Sequence, residues 1–472
     1  MASTTADRPT GTAAPEAPGT SARAATARQT QAREALRRLM RVRLTFRGIV
    51  LLCAGAVLGA IGLVLGLPDV VGLGAAAALA VGIAWAAMGL QRLDSGRGAL
   101  SVVRQISPNP VVRGQAADAR LVVAARSRTG AAYERLARLR LSEQAAHELA
   151  GPSGIRAQVS AHPDRVSVRY SLKPVRRGRW ALGPLLTTRT DVFGLVRTTQ
   201  PLGDATTVAV WPKTVDLRAR TRVLGDVERA ATGARLASTD DSVLRDYIAG
   251  DDPRRVHWAG SARQGRLMVR ADESAGVRPV TVLLDRSVLP PPVESRSGPW
   301  PTQRTVQSLE DGEWAVELAA SVAVSFLGAG HPARLVPTSV VAHGVGSRFT
   351  TGTHTGRPAI LDVTVDLHGH RNAGEAERAM AATVRALRVE RNQGEITVAL
   401  LGPLAPAVRH DLASLAAEGT CWALVVLPRD VGFRHDADDT VNALRTAGWR
   451  VAACEPGTPP DRAWALLQER AR

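Results

Sequence analysis

Residues 48–90 read GIVLLCAGAVLGAIGLVLGLPDVVGLGAAAALAVGIAWAAMGL, a long apolar run broken only by the pair Pro68-Asp69. Asp69 is the sole charged residue between Arg47 and Arg92. Each half, 48–67 and 70–90, holds about 20 residues, and a helix of that length rises ~30 Å, the thickness of the hydrocarbon core of a bilayer. The pattern predicts a two-helix transmembrane hairpin. Buried helices of a soluble protein usually carry a polar residue on each turn, and a cleaved signal peptide has a shorter apolar region with no second span directly behind it.

The flanks predict the orientation. Arg33, Arg37, Arg38, Arg41, Arg43 and Arg47 precede the first span, Arg92, Arg97 and Arg104 follow the second, and the intervening turn has no positive charge. Arginine-rich flanks stay on the inner side of the membrane, so both termini are expected to be cytoplasmic in a multi-pass protein of the cell membrane. The cysteines Cys53, Cys421 and Cys454, one of them within a span, offer no disulfide framework of the secreted kind.

The formal net charge of +17 invites a nucleic-acid reading, but Lys173 and Lys213 are the only lysines. So extreme an arginine bias, beside abundant Ala, Gly and Val, fits GC-rich codon usage. Nine arginines against three acids also lie ahead of Gly48, where membrane topology and anionic head groups account for them. No nucleic-acid-binding motif and no aromatic platform with interleaved basic residues occurs, so no nucleic-acid partner is expected.

Composition divides the remainder. Residues 1–30, rich in Ala, Thr, Pro and Gly without hydrophobic periodicity, are expected to be a disordered cytoplasmic tail, and 31–95 the membrane anchor, with 31–40 a candidate inward extension of its first helix. From 96 to 212 the signal turns to short alternating runs, Leu121-Val122-Val123, Val166 to Tyr170 and Val208 to Trp211, with turn clusters at Ser107 to Pro110 and Gly151 to Gly154. Period two with turn chemistry between the runs predicts an antiparallel β-sandwich. Arg176-Arg177-Gly178-Arg179-Trp180 reads as a bend with a solvated, arginine-bearing strand edge. A polar linker is expected over 213–239.

Residues 276–472 alternate strands with helices. Strands are predicted at Val280 to Leu284, Ala333 to Val336, Ile396 to Leu401, Trp422 to Leu427 and Arg450 to Ala453. Between them lie helical faces carrying Trp314, Leu318, Val322 and Phe326, then Ala376 to Leu387, then Val408, Leu412 and Leu415, then Val441 and Leu444, with a last helix from Pro460 to Gln468. Strand and helix in turn mean a doubly wound parallel sheet whose carboxyl ends form the usual ligand crevice.

The segment 240–275 is the densest in the chain: Arg245, Tyr247, then Gly250-Asp251-Asp252-Pro253-Arg254-Arg255-Val256-His257-Trp258, then Ser261-Ala262-Arg263. Here the sequence resembles the bacterial family called domain of unknown function 58. That family is similar along the whole course from a two-span anchor, through a β-rich domain with Arg-Arg-Gly-Arg-Trp-like and Asp-Pro-Phe-Gly-Leu-like turns, to the Gly-Asp-Asp-x-Arg signature and a von Willebrand A-like domain. At the second turn this chain has Asp191-Val192-Phe193-Gly194-Leu195, so the proline is replaced. The resemblance implies a multidomain membrane protein acting beside MoxR-type AAA+ ATPases and transglutaminase-like membrane proteins. It does not by itself assign an activity.

Physically, Gly250-Asp251-Asp252-Pro253 is turn chemistry. Its carboxylates, with Arg254, Arg255 and Arg263, form either an ion-pair network fastening the segment, with Tyr247 and Trp258 as packing anchors, or a docking face for a partner. Metal-binding von Willebrand A domains open their ion site with Asp-x-Ser-x-Ser, and the corresponding stretch here is Asp285-Arg286-Ser287-Val288-Leu289. Leu289 has no oxygen to give and no acid follows Leu401, so Asp285 and Ser287 are a degenerate remnant, more simply a turn cap, and no metal or other cofactor is expected. His368-Gly369-His370 reads as a solvated loop pair rather than a zinc site. The expected function is a scaffold or adaptor. The alternative is a membrane-bound hydrolase with a site near the Gly250 to Trp258 turn, although no Gly-x-Ser-x-Gly elbow or phosphate-cradling loop occurs.

Overall fold

The computed structural model describes residues 40–91, 93, 99–151, 154–217, 244–246, 258–270, 278–292, 303–340, 348–392 and 394–469. A short strand β1 (Val42–Leu44) leads into helices α1 (Phe46–Leu65) and α2 (Pro68–Leu90), both long and apolar enough to cross a membrane. The reversal between them is Gly66-Leu67, one step earlier than the sequence suggests. Gly66 takes φ 68° as the left-handed cap of α1, and Pro68, needing no amide partner, opens α2 with Asp69 in its first turn. The helices meet along glycine. Gly48, Gly55 and Gly62 are the buried residues of α1, and a Cβ on Gly74 of α2 would lie 2.5 Å from the Gly55 carbonyl oxygen, so backbones touch where side chains normally intervene.

The next unit is a sandwich of two sheets. One, of six strands, runs in the order β1, β9 (Val196–Leu202), β8 (Gly178–Thr190), β10 (Thr206–Trp211), β3 (Val111–Val112), with β5 (Arg140–Ala145) also on β8. The other, of four, runs β2 (Leu100–Ser107), β4 (Ala117–Ala125), β7 (Arg165–Leu172), β6 (Ala157–Ala161). All pairs are antiparallel except β10 with β3. Alternation along β4 and β9 turns Leu121, Val123, Val196 and Leu202 inward, each nearly free of solvent. Two short helices that period-two patterning hides, α3 (Gly130–Ala137) and α4 (His147–Ala150), interrupt it.

β1 corrects the expected boundary between anchor and sandwich. The strand preceding the hairpin pairs antiparallel with β9, Val42 opposite Thr198 and Leu44 opposite Val196. Thr45 then stops the strand and caps α1, its Oγ1 accepting from Gly48 N at 3.2 Å while its own amide donates to the Leu195 carbonyl at 2.9 Å. From the other side the Arg189 guanidinium donates to the carbonyls of Met88 (3.1 Å) and Gln91 (3.2 Å), closing the end of α2.

Leu244–Asp246 (β11) and Met268–Arg270 (β12) pair as a small antiparallel ribbon, with α5 (Trp258–Gln264) before the second strand. The last unit is a five-stranded parallel sheet in the order β14 (Ala333–Pro337), β13 (Val280–Leu284), β15 (Ile396–Leu401), β16 (Thr420–Val426), β17 (Arg450–Cys454). Its helices are α6 (Gln303–Gly328), α7 (Thr353–Val365), α8 (Ala373–Glu390), α9 (Pro406–Ala413), α10 (Arg434–Thr446) and α11 (Pro460–Glu469). They form two separate cores, one on each face of the sheet. One face centres on Phe326, Trp422 and Trp464, with the two indole centroids 5.9 Å apart. At the amino ends of the strands the buried Arg334 donates to Thr281 Oγ1 (2.7 Å) and pairs with Glu395 (3.3 Å), which satisfies charge there. The carboxyl ends are left for a site.

Candidate functional site

Of the signature residues, Tyr247, Gly250, Asp251, Asp252, Arg254 and Arg255 lie outside the described residues. Arg245 sits in β11 opposite Val269. Ser261 ties α5 to the ribbon by accepting from Met268 N at 2.8 Å. Arg263 is exposed, and Trp258 is 70% exposed where a packing anchor was expected. An uncovered indole is costly to keep in water and has the character of a contact residue.

Asp285 ends β13 with 1% exposure. Its Oδ1 accepts from Ser287 N (2.9 Å), and its Oδ2 accepts from Ser287 Oγ (2.6 Å) and from Gly402 N at the end of β15 (3.0 Å). The carboxylate thus caps the following 3-10 turn and pins together the two strands at which the sheet order reverses. A Cβ on Gly402 would stand 2.8 Å from Ser287 Oγ, so glycine is what allows this approach. Leu289, at the position of the missing serine, is buried in the core. With three donors on its two oxygens, Asp285 acts as a turn cap and strand tie. The variant Asp285→Ala, which strands three donors, is expected to lose about 3 kcal/mol of unfolding free energy in denaturant titration whether or not Mg²⁺ is present.

Beside it a crevice of about 780 Å³ opens across the carboxyl ends of the strands, lined by Ser287, Gly402, Pro428 and Asp430 among others. Arg429 bridges its rim, bidentate to Asp311 on α6 at 2.7 Å through each nitrogen. The Ser287 hydroxyl is spent on Asp285. Among the described residues no group of three or more His, Cys, Asp or Glu side chains gathers as metal ligands do. His370 is buried rather than solvated: its Nε2 stands 3.1 Å from Thr338 Oγ1, while its Nδ1 is 3.9 Å from Glu375, too far for a hydrogen bond. Burial, then the nearby Arg286, holds its pKa below the ordinary histidine value, so the ring is neutral near pH 7. Burial also pushes the Cys454 thiol up to about 12, and such a thiol is inert.

The strongest electrostatic construction lies elsewhere, in the Arg-Arg-Gly-Arg-Trp turn. Arg177 is not on a solvated strand edge. It is buried against the α/β unit, 2.7 Å from Glu313 of α6, and donates to the carbonyls of Thr364 (3.0 Å) and Leu367 (2.5 Å) at the end of α7. Arg113, after β3, reaches Glu310 (2.7 Å) and Glu317 (2.8 Å) and stands 3.8 Å from Glu313. These three glutamates, spaced by three and four residues, share one face of α6. Arg179 pairs with Asp366, and Trp211 Nε1 donates to Asp362 at 2.8 Å. Burial lowers the Arg177 pKa and Glu313 partly restores it. The start of the expected linker is part of the same clamp: Val215 N and Leu217 N donate to Ser321 Oγ (2.9 Å) and Ser325 Oγ (3.0 Å), and Leu217 is buried in the α/β core. No sequence signal separates Arg177 from its exposed neighbours, because its partners are far away in the chain.

The sandwich holds a further cavity of about 970 Å³, lined mostly by apolar side chains but also by Glu134, Glu143, His162 and Tyr170. Arg104 pairs with Glu143 at 2.7 Å. Burial, with Glu143 nearby, pushes the Tyr170 pKa up to about 12.

No family model matches the sequence, and no curated protein does. Among solved structures the chain is similar to the PilB minor pilin of Streptococcus sanguinis, with 10% identity over 81% of this chain and 87% of that one at a TM-score of 0.28. It is also similar to a thermostable esterase, with 10% identity over 79% and 96% at 0.23, and to the GspB Siglec domain, with 14% identity over 33% and 83% at 0.15. All three scores are too low to mark a shared fold.

Proposed function

We propose that this protein is a multi-pass membrane scaffold or adaptor. Its hairpin holds a cytoplasmic β-sandwich and a metal-free von Willebrand A-like domain, and that domain engages protein partners such as a MoxR-type AAA+ ATPase or a transglutaminase-like membrane protein. The clamp of Arg113 and Arg177 on α6 carries this reading. It ties the α/β unit to the sandwich, which β1 and Arg189 in turn tie to the hairpin, so the crevice is presented from a fixed base. The parallel sheet and the aspartate-serine loop at the end of its first strand support the von Willebrand A-like assignment. No observation in the described crevice favours the hydrolase, since the one serine hydroxyl there that meets a carboxylate is bound to it as a turn cap.

Capture of the full-length chain from membranes, with identification of what co-purifies, tests the adaptor role. An AAA+ ATPase is expected in the wild-type capture and reduced with Trp258→Ala; capture in which no ATPase exceeds the control would remove the reading. Orientation is checked separately. Protease added to intact spheroplasts is expected to leave residues 100–472 uncut, as the arginine flanks require.

A further inference from the structure

The turn Asp191 to Leu195 stands against the carboxyl-terminal half of α2, where two clefts share a wall. One, about 580 Å³, is walled by Ile83, Ala84 and Ala87 of α2 and by Phe193. The other, about 350 Å³, is lined by Arg138, Arg140, Thr188 and Thr190. The clefts share Arg138, Thr190, Asp191 and Val192, so an apolar chamber along the helix passes directly into a basic, hydroxyl-bearing one. The turn itself is rigid: Asp191 accepts from Phe193 N (3.1 Å) and Val196 N (2.8 Å), and Gly194 takes φ 72°. Asp191 therefore spends its charge within the turn. The tip is apolar and uncovered, Val192 being 74% and Phe193 76% exposed. Basic groups surround it. Arg47 passes beneath Gly194, its Nη1 3.6 Å from where a Cβ would stand, and Arg138 and Arg140 are exposed on the other side. Glu134, one helical turn before Arg138, also lines the apolar cleft.

We infer that this double cleft is a binding site for an anionic phospholipid of the inner leaflet. The acyl chain lies along α2 against Phe193, and the phosphate lies between Arg138 and Arg140. Val192 and Phe193 then form a third membrane-contacting element, seated at the boundary of head groups and acyl chains where an aromatic tip with basic flanks is most favourable. Opposite chemistry at the two ends matches an amphiphile, and the apolar end is continuous with the helix face that the lipid already covers. A soluble anion would fill only the basic chamber and would leave Val192 and Phe193 in water. The inference rests on the hairpin being in the bilayer.

The test uses the full chain with Cys53→Ala and Val192→Cys, carrying an environment-sensitive fluorophore at position 192, in vesicles of phosphatidylcholine with or without phosphatidylglycerol. Cys421 and Cys454 are buried and stay unlabelled. With phosphatidylglycerol present, a blue-shifted emission quenched by acyl-chain spin-labelled lipid is expected, while the same label at the exposed Val431 stays water-like. Native mass spectrometry from equimolar vesicles is expected to show phosphatidylglycerol retained over phosphatidylcholine, and Arg138→Ser with Arg140→Ser is expected to abolish that preference. Water-like emission at 192 in protein that resists carbonate extraction overturns the inference and spares the anchor. So does a phosphatidylglycerol preference unchanged in the double variant. Release by carbonate overturns both.

Discussion

Replacing Glu313 by alanine is expected to lower the unfolding free energy by about 3–5 kcal/mol, because it leaves the Arg177 guanidinium buried without its counter-charge. Arg177 and Glu313 side chains are 6% and 5% exposed, so water cannot substitute for the lost partner. The variant Arg177→Ala is expected to cost less, because it leaves the carbonyls of Thr364 and Leu367 without their donor while Glu313 keeps Arg113 at 3.8 Å. The paired change Arg177→Met with Glu313→Leu removes both charges together and is expected to recover much of the loss. Denaturant titration in detergent reads all three. If the double variant is no more stable than the single ones, the charges act through something other than their pairing. Arg113 gives an internal comparison, since Glu310 in its pair is 57% exposed and Glu310→Ala is expected to cost less than about 1 kcal/mol.

The variant Gly48→Ala is expected to part the hairpin from the sandwich. A Cβ there would lie 2.1 Å from the Leu195 carbonyl oxygen, a backbone atom that also accepts the Thr45 amide and cannot turn aside as a side chain does. Overpacking of this kind costs about 1–3 kcal/mol, and a backbone obstacle puts Gly48 at the upper end. Hydrogen exchange is the suitable readout: the amides of β1 and Thr45 are expected to lose protection while β13 to β17 keep theirs. Gly59→Ala serves as the control, since nothing lies within 4 Å of the Cβ it would carry. Equal exchange in the two variants would show that the close contact at Gly48 does not hold the anchor.

Some of this architecture is legible without coordinates because it depends on neighbours in the chain. The two apolar helices follow from an almost uncharged run, and the strands Val280–Leu284 and Ile396–Leu401 from short stretches, apolar but for Thr281 and Thr397, between turn signals. Alternation along Ala117–Ala125 likewise shows a strand with one face inward. Pro68 illustrates the limit of such reading. It marks a break between helices, but whether it sits in the turn or opens the next helix depends on the cap, and Gly66 takes that role.

Local pattern already separates membrane-length helices, a β-rich unit and an alternating α/β unit, since hydrophobic period and turn chemistry repeat within a few residues. The chain folded in three dimensions is what makes one arginine of Arg176-Arg177-Gly178-Arg179 a buried clamp and leaves Arg179 half exposed: Arg177 meets Glu313 from 136 residues away. It also spends Asp285 on the Gly402 amide 117 residues on, buries His370 against Thr338, and sets Phe193 beside α2. A charge's worth depends on whether water or a counter-ion surrounds it, and that environment is assembled from segments with no relation in sequence.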